Sequence, residues 1–306
     1  MELRHLRYFI AVAEELHFGR AAQRLGISQP PLSQQIQALE DELGACLFER
    51  TNRRVALSAV GELFLPEARA VLAQLDKAVA VTRRARAGEL GELKVGFTSS
   101  APFTSTIPRA LRAFRQACPA VHLDLRELSS REVAEAVGEG LLQVGMIRPL
   151  EPLPAGLEAL ELFAEPLVVV LPAGHPQALE GAIALAELAA EPFVFFPRSF
   201  GTGLYDQVLG LARAAGFSPH IVQEASEAMT LIGLVATGLG VTILPASFSR
   251  MRIDGVVWRT LRDPGASTAV WLVRRRGEQS PLVQRFAELL VREAGEAQRQ
   301  RQTPAG

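Results

Sequence analysis

The segment from residue 19 to residue 57 constrains the fold of this chain more than any other part of the sequence. Three small or apolar residues fall on one helical face: Ala21, Ala22 and Leu25. Gly26 follows at the place where a left-handed residue ends a helix. Ser28 suits the N-cap of a second helix, and Pro30 and Pro31 fall in its first turn, where no backbone hydrogen bond is lost. The segment predicts two short helices joined by a tight turn.

The second of these helices has an apolar face and a polar face. Its apolar residues recur at helical spacing and predict a buried stripe: Leu32, Ile36, Leu39 and Leu43. The outward side carries prolines, amides and a hydroxyl: Gln29, Pro30, Pro31, Ser33, Gln34 and Gln37. Amides and hydroxyls donate and accept hydrogen bonds at once, so this face suits base edges in the major groove of double-stranded DNA.

A short hairpin is predicted after this helix. Residues 48–57 alternate in polarity toward a tip that contains Arg53 and Arg54. Two arginines at the tip of such a wing suit DNA phosphates or the narrow minor groove. The whole segment therefore predicts a unit that reads DNA.

The order of these motifs resembles the N-terminal winged helix-turn-helix of the LysR-type transcriptional regulators. The stretch LRYFIAVAEELHFGRAAQRLGISQPPLSQQIQALEDELGACLFERT is similar to that family almost position by position, and residues 3–9 look like its first helix. The resemblance implies a DNA-binding domain over residues 1–58 and a pseudo-palindromic operator as partner. It leaves contact with RNA polymerase open.

Length and composition agree with a regulator of more than one domain. A chain of 306 residues predicts two domains, and a hydrophobic share of 48% suffices for buried cores. The net charge of −1 does not exclude DNA binding, because only the local potential acts on the phosphates. The two cysteines form no metal-spaced cluster, and there is no leader or long apolar run, so we expect a cytoplasmic protein with no membrane partner.

A long helix is predicted over residues 59–88. Its apolar residues recur every three or four positions: Val60, Leu63, Phe64, Val71, Leu72, Leu75 and Val79. This stripe either packs on its own domain or, as the resemblance implies, forms a dimer with a second copy, and we favour the dimer. The family then implies a homodimer or homotetramer. Pro66 is expected to bend the helix.

Beyond the glycines Gly88 and Gly91, strands alternate with helices, which predicts an α/β architecture with mostly parallel sheets. The predicted strands cover residues 93–97, 121–125, 144–147, 167–171, 193–196, 220–223, 241–244 and 268–273. The predicted helices cover residues 107–117, 131–139, 204–215, 229–236 and 282–291, before a polar tail.

This pattern resembles the family's effector-binding domain, which is similar to periplasmic binding proteins. The resemblance implies an effector domain over residues 92–306 with two lobes. Lobe I covers about 92–163 and 268–295, and lobe II about 164–267. A ligand would bind between the lobes, at the carboxyl ends of their strands.

A surplus of hydroxyls marks the predicted cleft. Thr98, Ser99 and Ser100 follow the first strand of lobe I, although a helix start needs only one capping hydroxyl. Either they are solvated turn and cap residues, or they bind a carboxylate or another anion. Family position adds further cleft residues: Ser129, Phe200, Gly201, Thr202, Met229 and Thr268. Arg148 pairs either with a ligand carboxylate or with a structural partner, Glu161 or Glu165.

The sequence contains no catalytic motif and implies no enzyme. Its histidines lack metal-ligand spacing, and we find no Walker loop, no G-x-S-x-G elbow and no H-E-x-x-H, so neither a metal nor a cofactor is expected. Two hypotheses remain for a DNA-binding protein. In one, a small carboxylate with an aromatic or unsaturated body binds in the cleft and modulates regulation. In the other, the effector domain serves only assembly or protein contacts and binds no ligand.

Overall fold

The computed structural model describes residues 1–51, 54–179, 181–198 and 202–302. The chain forms two compact units, Met1–Arg84 and Ala85–Gly306, and each is described by itself.

The first unit begins with three helices and a hairpin. Its elements are α1 (Leu3–Glu15), α2 (Phe18–Leu25), α3 (Gln29–Leu43), β1 (Phe48–Thr51) and β2 (Arg54–Leu57). Gly26 ends α2 with a φ of 68°, and Ser28 holds the N-cap position of α3 with the prolines directly behind it. In the hairpin, Phe48 pairs with Leu57 in antiparallel register. The predicted helix-turn-helix and wing are therefore confirmed, while Arg53 lies outside the described residues.

The core of this unit lies between the helices and the hairpin. Leu32, Ile36 and Leu39 are fully buried, as predicted, but Leu43 is 39% exposed. The prediction for Leu43 is wrong because Gly44, with a φ of 65°, ends the helix directly after it, so Leu43 lies in a last turn beyond the core. The ring of Phe9 lies 5.3 Å from that of Phe48.

The predicted linker helix is present as α4 (Ala59–Arg86), which continues through Pro66. Phe64 and Ala68 pack on the core of the first unit, and the Phe64 ring lies 5.1 Å from that of Phe9. Other apolar side chains of the helix are exposed: Val60, Leu63, Val71, Val79 and Val81. Leu72 and Leu75 are half-buried. One face of α4 thus completes the core of the first unit. Another face is apolar and is exposed to solvent in the single chain.

The second unit contains strands and helices in alternation. Its strands are β3 (Gly91–Phe97), β4 (Val121–Glu127), β5 (Val144–Ile147), β6 (Leu157–Pro172), β7 (Ala182–Ile183), β8 (Pro192–Phe195), β9 (His220–Glu224), β10 (Thr242–Pro245), β11 (Val256–Leu261) and β12 (Ser267–Arg275). Its helices are α5 (Thr106–Ala117), α6 (Ser130–Gly138), α7 (Thr202–Ala214), α8 (Ala228–Ala236) and α9 (Pro281–Gln302).

The strands form two lobes that share β6. In lobe I the order is β4-β3-β5-β12-β6, and β6 pairs with β12 as far as Pro166. In lobe II, β6 pairs with β10 and β11 from Leu167 onward, β7 adds to β11, and β8 pairs with β9. One strand therefore passes from one lobe into the other between Pro166 and Leu167.

The sheets are mixed, so the prediction of mostly parallel sheets is wrong. β5, β6, β10, β11 and β12 all make antiparallel pairs. The reason lies in the two connections between the lobes: β6 runs outward and β12 runs back beside it, and such neighbours are antiparallel. The strand β11 and the first half of β6 were not predicted, because charged residues interrupt their apolar pattern: Arg259 in β11, and Glu158 and Glu161 in β6.

The C-terminal helix is longer than predicted. The expected polar tail after residue 291 continues α9 as far as Gln302. Ala294 and Ala297 are buried, and Glu293 lies 3.6 Å from Arg109 of α5. These contacts with lobe I keep the polar sequence helical.

Candidate DNA-reading helix and effector cleft

The first candidate site is the exposed face of α3. Gln29, Pro30, Pro31, Gln34 and Gln37 are exposed, and Ser33 is half-buried. The Gln37 amide donates to Asp41 at 2.9 Å, one turn further along the helix. No acidic residue lies in the first turn of α3, so the helix N-terminus stays favourable for a phosphate. The structure therefore brings the predicted base-reading residues together on one helix face.

A buried carboxylate fixes the wing against this helix. Glu40 of α3 is 5% exposed, and its Oε1 accepts hydrogen bonds from the backbone N–H groups of Leu47 and Phe48 at 2.7 and 3.1 Å. Its Oε2 accepts from the Arg50 guanidinium at 2.6 Å. That guanidinium also lies 4.9 Å above the Phe18 ring. One acidic side chain thus connects α3, the first strand of the wing and α2.

Sequence reasoning missed Glu40, although a signal was available. The residue lies four positions after Ile36, which places it on the buried face of the helix. A charged residue in an apolar stripe indicates a buried partner. Arg54 of the wing is exposed at the start of β2, and its contact with DNA stays a prediction.

The second candidate site is a cavity of about 420 Å³ between the two lobes of the second unit. Hydroxyls from lobe I line it, together with aromatic and apolar residues from both lobes. The lining residues are Thr98, Ser99, Ser100, Glu127, Leu128, Ser129, Ser130, Glu132, Arg148, Phe196, Gly203, Leu204, Tyr205, Ser226, Glu227, Pro245 and Phe248. The cavity lies where β3, β4 and β5 end, at the edge of the sheet where α/β proteins bind ligands.

Some of the expected effector residues line this cavity: Thr98, Ser99, Ser100, Ser129 and Arg148. Met229 is 51% exposed on α8, and Thr268 is buried on β12; neither is among the lining residues of the described chain. Phe200 and Gly201 lie outside the described residues. The backbone of Thr202 begins α7.

Arg148 forms a buried ion pair with Glu165. Its Nη2 donates to Glu165 at 2.5 Å and to the Ser100 hydroxyl at 2.7 Å, and its backbone N–H donates to Ser130 at 3.1 Å. Burial lowers the pKa of Arg148, and the Glu165 carboxylate opposes that shift. Of the two structural partners drawn from the sequence, Arg148 pairs with Glu165, and its contact with a ligand carboxylate stays a prediction.

Three carboxylates line the cavity and were not predicted: Glu127, Glu132 and Glu227. Glu132 forms a capping box with Ser129, in which the Ser129 N–H donates to it at 2.9 Å, and this bond lowers the pKa of the Glu132 carboxyl. All three are exposed. Glu127 is the last residue of β4, Glu132 lies in the first turn of α6, and Glu227 is the N-cap residue of α8. That placement was the signal available in the sequence.

Comparisons with known proteins identify both units. Residues 3–62 match the family model of the bacterial regulatory helix-turn-helix protein of the lysR family, and residues 86–295 match the LysR substrate binding domain. The chain belongs to the LysR family. This LysR-family protein is thus a DNA-binding transcriptional regulator with an effector-binding domain, and it is not an enzyme.

Relatives match over nearly the full length of this regulator. It is 52% identical over 287 residues to the uncharacterized HTH-type transcriptional regulator YnfL of Escherichia coli K12, covering 94% of this chain and 96% of the relative. It is 39% identical over 291 residues to the transcriptional regulator AlsR of Bacillus subtilis, covering 94% and 95%.

Solved structures agree with the fold. Full-length CbnR complexed with its target DNA matches with a TM-score of 0.82 at 32% identity, covering 96% of this chain and 100% of that one. Full-length BenM matches with a TM-score of 0.63 at 32% identity, covering 97% and 98%. Within the described ranges, no helix is long and apolar enough to span a membrane.

Proposed function

We propose that this regulator changes its operator binding or activity when a small molecule binds between the lobes of its effector domain. The observation that carries the proposal is the cavity of about 420 Å³, which both lobes line and which is large enough for a small ligand. A domain that serves only assembly needs no cavity of this size with hydroxyls in its lining, so the alternative without a ligand is disfavoured.

The lining of the cavity favours a monocarboxylate with an apolar body. Thr98, Ser99 and Ser129 offer hydroxyl donors to one anionic group, and Phe196 and Phe248 offer an apolar wall. The exposed carboxylates Glu127, Glu132 and Glu227 repel each negative charge of a ligand, so the hydroxyls must offset that repulsion once for a monocarboxylate and twice for a dicarboxylate. An aromatic or unsaturated monocarboxylate therefore suits the site better than a dicarboxylate.

Calorimetry with the full-length protein tests this proposal. We expect a panel of small monocarboxylates to include ligands with micromolar to millimolar affinity, and the matching dicarboxylates to bind more weakly. The double variant Ser99→Ala/Ser100→Ala should lose this binding while its DNA affinity is unchanged. Ser249→Ala, which removes an exposed hydroxyl outside the cavity, is the matched control. If no carboxylate binds, the effector proposal fails and DNA recognition is unaffected.

For DNA recognition, we infer that α3 reads bases and the wing contacts the backbone. Gln29→Ala or Ser33→Ala should reduce discrimination between operators by about 1–3 kcal/mol. Arg53→Ala or Arg54→Ala should weaken binding to all sequences and reduce the salt slope by about one unit. Gel shifts over a salt series measure both effects, with Arg115→Ala in the second unit as a charge control. An unchanged salt slope in both wing variants contradicts the wing assignment.

We further infer that the exposed face of α4 pairs antiparallel with a second copy. Leu63 is 75% exposed, and Val60, Val71 and Val79 are exposed on the same helix. A two-fold dimer implies half-sites separated by about 34–36 Å or a multiple of that spacing. Leu63→Asp should shift light scattering toward monomer, whereas Leu179→Asp, at a 94% exposed residue of lobe II, should leave the assembly unchanged.

A further inference from the structure

The passage of β6 between the lobes contains a buried ionic network. Glu165 is 4% exposed and lies one residue before Pro166, where β6 leaves the sheet of lobe I. Its Oε1 accepts from Arg148 of lobe I at 2.5 Å. Its Oε2 accepts from the backbone N–H of Ser247 at 2.6 Å, and the Ser247 hydroxyl donates to Oε1 at 3.2 Å. Ser247 belongs to a short 3-10 helix, Ala246–Arg250, of lobe II. One carboxylate therefore connects the two lobes.

The same network forms one wall of the cavity. Ser100 and Arg148 both line the cavity, and the Ser100 hydroxyl accepts from Arg148 Nη2 at 2.7 Å and from Nε at 3.3 Å. A guanidinium can only donate, so Ser100 must accept from it. The single Ser100 proton then points either to Thr98 Oγ1, 3.5 Å away, or to a group in the cavity, and an anion there is the stronger acceptor. An anion bound there would receive that proton's hydrogen bond and would also attract the Arg148 cation away from Glu165.

If Arg148 moved away, the Thr268 hydroxyl could serve as another hydrogen-bond donor to Glu165. Thr268 lies opposite Glu165 in the β6–β12 pair, and paired residues of antiparallel strands project on the same face. The Thr268 hydroxyl is buried and makes no hydrogen bond in the described structure. Buried polar groups without a partner are rare, and they mark strain or an alternative arrangement. A Glu165 carboxylate that lost Arg148 would find this hydroxyl across the strand pair.

We propose that Arg148 is a releasable tie between the lobes, which it holds through Glu165 and Ser247 and loosens when an anionic group binds beside Ser100. The inference rests on the proposed function, because it supplies the step from ligand binding to a change of lobe angle. Arg148 acts here as a positioning residue, and the network is the two-state element that such coupling requires.

The lobe angle can be measured without any ligand. We would attach spin labels at Glu139→Cys of lobe I and Arg213→Cys of lobe II, both exposed residues, in a Cys46→Ser background. Cys118 is buried and stays unlabelled. Labelled full-length chains diluted with unlabelled chains then report only distances within one chain.

The decisive variant is Glu165→Gln, which keeps the shape of the side chain and removes its charge. We expect the ratio of a second distance population to the first to rise roughly 5- to 150-fold over the parent, which is the usual range for coupling of this kind. Glu158→Gln is the matched control, since Glu158 also lies on β6 and pairs with Arg274 at 2.6 Å, but within lobe I. Equal distance distributions in Glu165→Gln and the parent would overturn the tie.

A second pair of variants tests the coupling to the cavity. Ser100→Asp places a carboxylate beside Arg148 as a built-in anion, and Ser100→Asn is the uncharged side chain of the same size. Only the aspartate should shift the distances, and equal distributions in the two variants would overturn the coupling. If Glu165→Gln does not fold, the apolar replacement Arg148→Met/Glu165→Met removes the tie without an unpaired charge. Because no ligand is used, a failed tie and a failed effector proposal remain distinguishable.

Discussion

The proposed DNA-reading helix α3 and the proposed effector cleft are built in opposite ways. The reading face of α3 comes from one stretch, Gln29 to Gln37, in which helical spacing alone decides which side chains point outward. The cleft takes residues from Thr98 to Phe248, which reach it from the ends of several strands in two lobes. A local pattern suffices for the first site, whereas the second depends on which strands become neighbours.

Both regions nevertheless depend on a buried carboxylate that connects distant parts of the chain. Glu40 connects α3 with the wing, and Glu165 connects lobe I with lobe II. Removing either acid leaves buried donors without acceptors, which costs more than the net contribution of the bonds themselves. The locally encoded site therefore has one non-local requirement, the contact of Glu40 with the wing.

The largest effect is expected for Glu40→Ala. The substitution removes the acceptor of two buried N–H groups and of Arg50, so we expect a loss of about 3 kcal/mol in unfolding free energy of the first unit. Calorimetric unfolding of the full chain measures this loss. Glu42→Ala removes an exposed carboxylate of the same helix and should change stability by less than about 1 kcal/mol. Equal effects of the two variants would show that α3 needs no tertiary anchor.

Gly203→Ala should have the next largest effect. A Cβ at Gly203 would lie 1.8 Å from the carbonyl oxygen of Pro149, so the start of α7 must move away from lobe I, at a cost of about 1–3 kcal/mol or more. Gly210 of the same helix has nothing within 4 Å of such a Cβ, and Gly210→Ala should stabilise by up to about 1 kcal/mol. Gly203→Ala should lower the unfolding temperature and Gly210→Ala should raise it. Shifts of the same sign would contradict the close approach of Gly203 to the Pro149 carbonyl.

The smallest effect on stability is expected for Glu132. This residue lines the cleft, but its position is fixed locally, by the capping box with Ser129 at the start of α6. Its hydrogen bond from Ser129 lowers the carboxyl pKa in the folded state, so its stabilisation is present above the unfolded-state pKa. The stabilisation is lost as the pH falls through the lowered folded-state value. Glu132→Ala should cost at most about 1 kcal/mol at neutral pH, because the side chain is mostly exposed.

Unfolding at several pH values measures this dependence, with Glu135→Ala on the same helix as control. The difference between Glu132→Ala and the parent should vanish in acid. A difference that does not depend on pH would contradict a role for the Glu132 charge in capping.

The sequence by itself determined the elements whose signals lie within a few residues. Gly26 ends α2, the prolines begin α3, and residues 48–57 form a hairpin, because each outcome follows from backbone preference and side-chain period. The hydroxyls Thr98, Ser99 and Ser100 were located at the cleft by the same reasoning, since they follow a recognisable strand.

Only the tertiary structure decided what depends on neighbours far apart in the chain. In the folded chain, β6 pairs antiparallel with β12, and the residues after Val291 stay helical because they pack on lobe I. Leu43 lies outside the core. The tertiary structure also paired Arg148 with Glu165, one of the two structural partners that the sequence offered. Sequence spacing does not encode the partner of Arg148. A buried charge pairs with whichever group the packed strands bring within hydrogen-bonding distance, and the cost of desolvation makes such a partner obligatory.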